Sequence, residues 1–212
     1  NPSVREDLDS GRTRDAFAHL IAFGLPQALP AARSAGQPPD EADAKALFRS
    51  RARNLLPLYG RNPLRFDLAG PPELSVIMVL HDGFALTMMA LASLRANFAG
   101  PVELILVDSG SADETQHIGR YVTGAKLLRF DSNIGYVRAC NAALPSVTSD
   151  AVLYLNNDVE LAPGAVAAAM RRLRSDPAIG AVGGKIIRTH GMLQEAGCIV
   201  WRDGTTSGYL RD

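Results

Sequence analysis

The chain has 212 residues, with 22 Lys+Arg set against 22 Asp+Glu, 47% hydrophobic and 21% charged residues. A zero net charge excludes binding driven by a basic surplus, to nucleic acid or to anionic lipid alike. The apolar content excludes a disordered chain, and no apolar run approaches the ~20 residues of a membrane span.

Taken in chain order, residues 1–72 predict a helical region with Pro-rich breaks. Phe17, Leu20 and Ile21 have helical spacing over residues 15–23, whereas Pro26, Pro30, Pro38 and Pro39 predict irregular chain. A helix is expected from about Asp40 to Leu56, with Asp40, Glu41 and Asp43 at its start and Arg49, Arg51 and Arg53 near its end, a polarity that complements the helix dipole. Pro57, Pro63, Pro71 and Pro72 then read as a linker.

From Leu74 the texture changes to short apolar runs alternating with amphipathic helices. Expected strands are 74–80, 102–107, 126–130 and 151–155, and expected helices are 84–98, 136–144 and one beginning near Pro163. Ser111 and Glu114 have the spacing of a capping box. Further strands are expected at 179–187 and 198–201, with Asp203-Gly204 as a turn and Trp201 packed on the sheet or against a part of the domain expected beyond Asp212. Cys140 and Cys198 lack metal or disulfide spacing and read as semi-buried thiols. Strands alternating with helices predict a largely parallel sheet. The two textures divide the chain into residues 1–72, helical with a linker, and 73–212, an α/β domain.

In an open parallel sheet, ligands bind beyond the carboxyl ends of the strands. There the sequence places His81 and Asp82, then Asp108 with Ser109-Gly110-Ser111, then Asn133 and Gly135, then Asn156, Asn157 and Asp158. Turn chemistry alone favours such residues. Their acidity also suits an anionic diphosphate met through a divalent cation, with Asp158 on the metal and Asn156 and Asn157 as neutral partners. Asp108 is placed to accept from a base N–H or a ribose hydroxyl. A helix starting near Gly135 offers free N–H groups to phosphate, and Arg138 adds a charge.

These residues carry a family resemblance. Leu74 to Leu80, Asp108-Ser109-Gly110-Ser111, Asn133-Ile134-Gly135 with Asn141, Asn156-Asn157-Asp158 with Pro163-Gly164, and Gly183-Gly184-Lys185 resemble the inverting GT-A glycosyltransferases of family 2. Leu193 to Gly197 and Trp201 to Gly204 are similar to a bacterial cell-surface polysaccharide branch.

The resemblance implies a GT-A fold, Rossmann-like and mostly parallel, and transfer of a sugar from a nucleotide-diphosphate donor to a glycan or lipid-linked acceptor with inversion. It implies Mg2+ or Mn2+ on Asp158, the last aspartate of a DxD motif whose first aspartate is replaced by Asn156. It implies donor contacts from Asp108 and from His81, at a position where His81-Asp82 replaces the usual Tyr-Asn. The family's catalytic carboxylate belongs to a Glu-Asp pair expected beyond Asp212; neither Asp203 nor Asp212 is assigned that role. The 73–212 stretch is therefore expected to be the first part of a longer catalytic domain. A cytoplasmic enzyme, peripheral at the inner membrane in a longer protein, with no nucleic acid partner, is the expected setting. Two alternatives are a nucleotide-sugar-binding module without transfer and a sugar nucleotidyltransferase; the latter needs a Gly-rich basic loop that Leu80-His81-Asp82-Gly83 does not supply.

Overall fold

The computed structural model describes residues 40–203 and 205–208. The expected helix at 15–23 and the irregular stretch after it lie outside them.

Helix α1 spans Glu41–Arg61, capped by Asp40, whose carboxylate accepts from the Ala42 N–H at 2.7 Å. It runs past the expected end at Leu56 and carries Pro57 inside it. Proline removes one helical hydrogen bond and costs about 3 kcal/mol in an interior. Burial of Tyr59 in the main hydrophobic core, two residues further on, offsets that loss.

The central sheet holds β2 (Leu74–Leu80), β3 (Val102–Ser109), β5 (Lys126–Phe130) and β6 (Val152–Tyr154) in the order β5-β3-β2-β6, every pair parallel. A smaller parallel pair joins β1 (Leu64–Arg65) to β4 (Val122–Thr123). Because successive side chains alternate between faces, β2 and β3 each feed two cores. Val76, Met78, Leu80, Leu104 and Leu106 pack with helix α2 (Phe84–Asn97), the 3-10 helix Glu114–Arg120 and helix α4 (Ala165–Arg174). Ile77, Ile105 and Val107 pack with Ala139, Cys140 and Ala143 of helix α3 (Tyr136–Ala143). This is the expected α/β architecture, a parallel sheet flanked by helices and preceded by a helix.

Several local expectations are corrected. The Ser111–Glu114 capping box does not form. Asp113 caps the 3-10 helix by accepting from the Thr115 N–H at 2.9 Å, and the Ser111 hydroxyl accepts from the Asp82 N–H at 2.9 Å. The long-range partner outcompetes the local one. Of the expected strand at 179–187, only β7 (Ile186–Ile187) forms, antiparallel to β8 (Leu193–Glu195). Gly180, Gly183 and Gly184 precede it, and glycine is poor strand material. Strand β9 (Cys198–Val200) pairs antiparallel with β10 (Thr206–Gly208), and Trp201 is exposed rather than packed on the sheet. Cys140 is buried and Cys198 exposed, both free thiols.

Candidate functional site

Four parallel strands bring four loops to one edge of the sheet. The register Leu80↔Asp108↔Arg129 sets the ends of β2, β3 and β5 level. The loop after β2 turns through two left-handed residues, Asp82 at φ 57° and Gly83 at φ 77°. Aspartate tolerates this backbone better than most side chains. Its carboxylate holds the conformation: Oδ1 accepts from the Ala112 N–H at 2.7 Å and the Asp113 N–H at 3.1 Å. Asp113 reciprocates by accepting from the Phe84 N–H at 3.0 Å. Burial works to raise the Asp113 carboxyl, but hydrogen bonds from Thr115 and the amides of Phe84 and Gly83 outweigh it and hold the group low. The β2 and β3 loops are thereby clasped together.

His81 donates from Nδ1 to the Ser109 carbonyl at 3.0 Å, which leaves Nε2 as the outward nitrogen. Asp108 is buried; its Oδ1 accepts from the Ser111 N–H at 2.9 Å and its Oδ2 from Arg129 Nη1. Asn133 fastens the β5 loop to β3. Its Oδ1 accepts from the Ser109 hydroxyl at 3.3 Å and the Gly135 N–H at 2.9 Å, and Ser109 Oγ accepts from the Ile134 N–H at 2.9 Å. Gly110, at φ 74°, lets these loops approach: a Cβ there would lie 2.5 Å from the Ser132 carbonyl carbon. Gly135, at φ 82°, caps α3 without a side-chain bond, so the first-turn N–H groups have no capping side chain, and Arg138 stands exposed nearby on that helix.

The β6 loop completes the edge. Asn157 donates from Nδ2 to the Asp82 carbonyl at 3.2 Å and to Thr87 Oγ1 at 3.0 Å, which ties this loop to that of β2. Further along, Leu161 is held at both backbone groups, its N–H donating to Ser93 Oγ at 2.9 Å and its carbonyl accepting from Asn97 at 2.8 Å. Glu160 pairs with Arg51 of α1. On either side of Asn157, Asn156 and Asp158 are exposed.

Among the described residues, no group of three His, Cys, Asp or Glu side chains is arranged to chelate a metal. Asp158 itself is an exposed carboxylate without an ion pair or hydrogen bond among those residues. One free carboxylate on a fixed loop fits Mg2+ or Mn2+, which keep waters and complete their shell with phosphate oxygens.

All the expected site residues thus lie on one edge: His81, Asp108, Asn133, Gly135, Asn156, Asn157 and Asp158 on its loops and strand ends, with Arg138 on the adjoining helix. The sequence reading did not single out Arg129, or Asp82 as the hub of the clasp. The signal for Arg129 is its cross-strand register with Asp108, which appears only once the strands are paired. For Asp82 it is the Asp-Gly turn dipeptide directly after a strand.

Residues 75–197 match the family described as glycosyl transferase family 2. The chain belongs to that family. The family 2 match covers β2 to β8 and all four loops of the edge, and leaves α1 and β1 outside it. Among relatives, the O-antigen biosynthesis protein RfbC of Myxococcus xanthus is 28% identical over 66% of this chain and 11% of its own length. The N-acetylglucosaminyltransferase of Rhizobium sp. (strain N33) is 31% identical over 58% of this chain and 30% of its own. The mannosyltransferase PcManGT from Pyrobaculum calidifontis, solved in complex with GDP-Man and Mn2+, is 23% identical with a TM-score of 0.49, over 70% of this chain and 44% of that one. The chain spans less than a third of the length of the sequence relatives it matches, between 11% and 30%. Among the described residues, no helix of this family 2 chain is long and apolar enough to cross a membrane.

Proposed function

We propose that residues 73–212 form the donor-binding part of an inverting transferase, which moves a sugar from a nucleoside-diphosphate sugar to a bacterial surface glycan or its lipid-linked precursor. The observation that carries this reading is the single edge where four family 2 loops converge and present, among the described residues, two exposed carboxylates without a partner, Asp158 and Asp131, of which Asp158 lies beside Asn156 and Asn157. Asp158 is the metal residue in this reading, with Asn156 beside it. His81, Asn133, Gly135, Arg138 and Asn157 frame the donor, and Asp108 organises its base end. A bound Mg2+ or Mn2+ would neutralise charge on the departing diphosphate. The first-turn amides of α3 and the Arg138 guanidinium add positive potential on the same side. The acceptor oxygen attacks the anomeric carbon from the face opposite the diphosphate, and a carboxylate base takes its proton.

Asp203 is not that base. Its Oδ1 accepts from both the N–H and the hydroxyl of Thr205, at 3.0 and 2.7 Å, and the hydroxyl bond foremost lowers the carboxyl. Asp203 thus serves its own turn, and a second reading is a donor-binding module that does not itself transfer. Turnover of donor onto an acceptor by this chain excludes the second reading.

Calorimetric titration with UDP, GDP and dTDP, with and without Mn2+, tests the donor site. Binding of at least one is expected, stronger with Mn2+. Asp158→Ala should remove most of the metal-dependent part, about tenfold or more in affinity, without lowering the melting temperature. A folded protein that binds none of the three with Mn2+ overturns the proposal.

A further inference from the structure

Asp108 and Arg129 are direct cross-strand partners at the end of the sheet, yet their exposures are opposite: 2% of the Asp108 side chain reaches solvent and 40% of that of Arg129. Both Asp108 oxygens are engaged, Oδ1 by the Ser111 N–H and Oδ2 by Arg129 Nη1. Arg129 Nη2 also donates to the Ser111 carbonyl at 3.2 Å. Of the five N–H donors of a guanidinium, two are used among the described residues. A buried carboxylate with both oxygens occupied presents no surface to a ligand. The arginine it steadies presents a planar fork with donors to spare.

On the donor-site reading above, we propose that Arg129 is a specificity-determining residue for the nucleobase, donating to the carbonyl oxygens of its edge, and that Asp108 is the positioning residue behind it. The chemistry follows from the groups. Arginine has no acceptor, so it favours a base edge that presents acceptors to its fork, such as the carbonyl oxygens of uracil and thymine or O6 and N7 of guanine, over one that presents an amino group. Asp108 and the Ser111 carbonyl fix the fork at two points, so little rotamer freedom remains to be lost when a base arrives.

The test uses this chain with Mn2+ and whichever of UDP, GDP or dTDP the wild type binds most tightly, with inorganic pyrophosphate as the base-free control. Arg129→Met should weaken the nucleotide about tenfold and pyrophosphate less than about twofold. Arg129→Lys keeps a cation beside Asp108 and guards against misfolding, checked by circular dichroism melting. It should lose much of the same preference, because an ammonium lacks the fork. Introduced into Arg129→Met, Asp108→Asn should cost no further nucleotide affinity, since Asp108 acts through the arginine.

Equal losses for nucleotide and pyrophosphate would overturn the inference. So would unchanged nucleotide affinity in both folded variants, or an Asp108→Asn cost as large in the variant as in the wild type. A wild type that binds none of the three nucleotides overturns the donor-site reading, and this inference with it. A wild type that binds, with Arg129 variants that match it, overturns the inference alone.

Discussion

Asp82 shows how one side chain can hold two loops together. Its backbone sits in a left-handed region, and its carboxylate engages two amides of the β3 loop. Asp82→Ala removes both bonds and places a non-glycine residue without local hydrogen bonding at positive φ, so a loss of about 2–3 kcal/mol is expected. Asp82→Asn keeps an acceptor and the same backbone tolerance, and should recover more than half of that. Chemical denaturation of the two variants measures it. Equal destabilisation would show that the carboxylate's charge, rather than its geometry, holds the loop. Asp82 and Arg129 share a reason for escaping a linear reading: each acts through residues about twenty to thirty positions away.

At the scale of elements, the opposite edge of the sheet is closed by a polar network. Glu103, near the start of β3, is buried and accepts from Lys126 Nζ at 2.6 Å and from the Thr148 N–H and hydroxyl at 2.9 and 2.8 Å, while Ser75 also donates to it. Burial works to raise its carboxyl, but the hydrogen bonds, that of Lys126 first, prevail and lower it from 4.5 to about 2. A group depressed in the folded state stabilises above its unfolded value and loses that contribution as pH falls through the folded one. The network is therefore worth about 3 kcal/mol at neutral pH, lost between roughly pH 4.5 and 2. Melting curves of wild type and Glu103→Gln should converge over that interval. If the gap between them stays constant, the network contributes nothing through ionisation.

The elements were also where the sequence was most legible. Strands β2 and β5 form at their expected bounds, Leu74–Leu80 and Lys126–Phe130; β2 does so because a buried parallel strand is a continuous apolar run with sharp ends, while β5 is the outer strand and stays partly exposed. Phe84, Met88, Leu91 and Phe98 bury as their helical spacing implies. Legibility failed where a distant partner decides the outcome. Ser111 has a plausible local cap partner and takes Asp82 instead. Helix α1 passes Pro57 because Tyr59 has a core to enter, and the sequence around Pro57 says nothing of that core. The loop-end site residues were legible because parallel strands put their carboxyl ends on one edge; the register that selects Arg129 was not.

At the scale of the whole described molecule, the sheet and the segment before it share one core. Tyr59 and Phe66 lie in the same hydrophobic cluster as Val76, Met88 and Leu104, and Glu160 beyond Asp158 pairs with Arg51 of α1. A division of the chain at residues 72 and 73 can be tested through that core. Loss of a buried aromatic side chain costs about 3–5 kcal/mol. A fragment beginning at Leu74 should therefore melt well below one beginning at Asp40, by ten degrees or so for a domain of this size. Equal melting temperatures would show that residues 73–212 fold independently of α1 and β1.

The strand order has a last consequence, for the order in which the protein is made. Strand β2 is the first of the sheet to leave the ribosome and ends at its centre, between β3 and β6. Its pairing with β3 closes a short loop, but its other edge waits for Val152–Tyr154, about seventy-five residues later. At about 5–20 residues per second, that edge stays open for roughly four to fifteen seconds of synthesis. For that time Val76, Ile77 and Met78, among the most buried residues of the finished fold, line an unpaired apolar strand. The nascent chain is thus a candidate client for a chaperone until β6 arrives, and the short strand that leads into the Asn156–Asp158 loop is the one that closes the sheet.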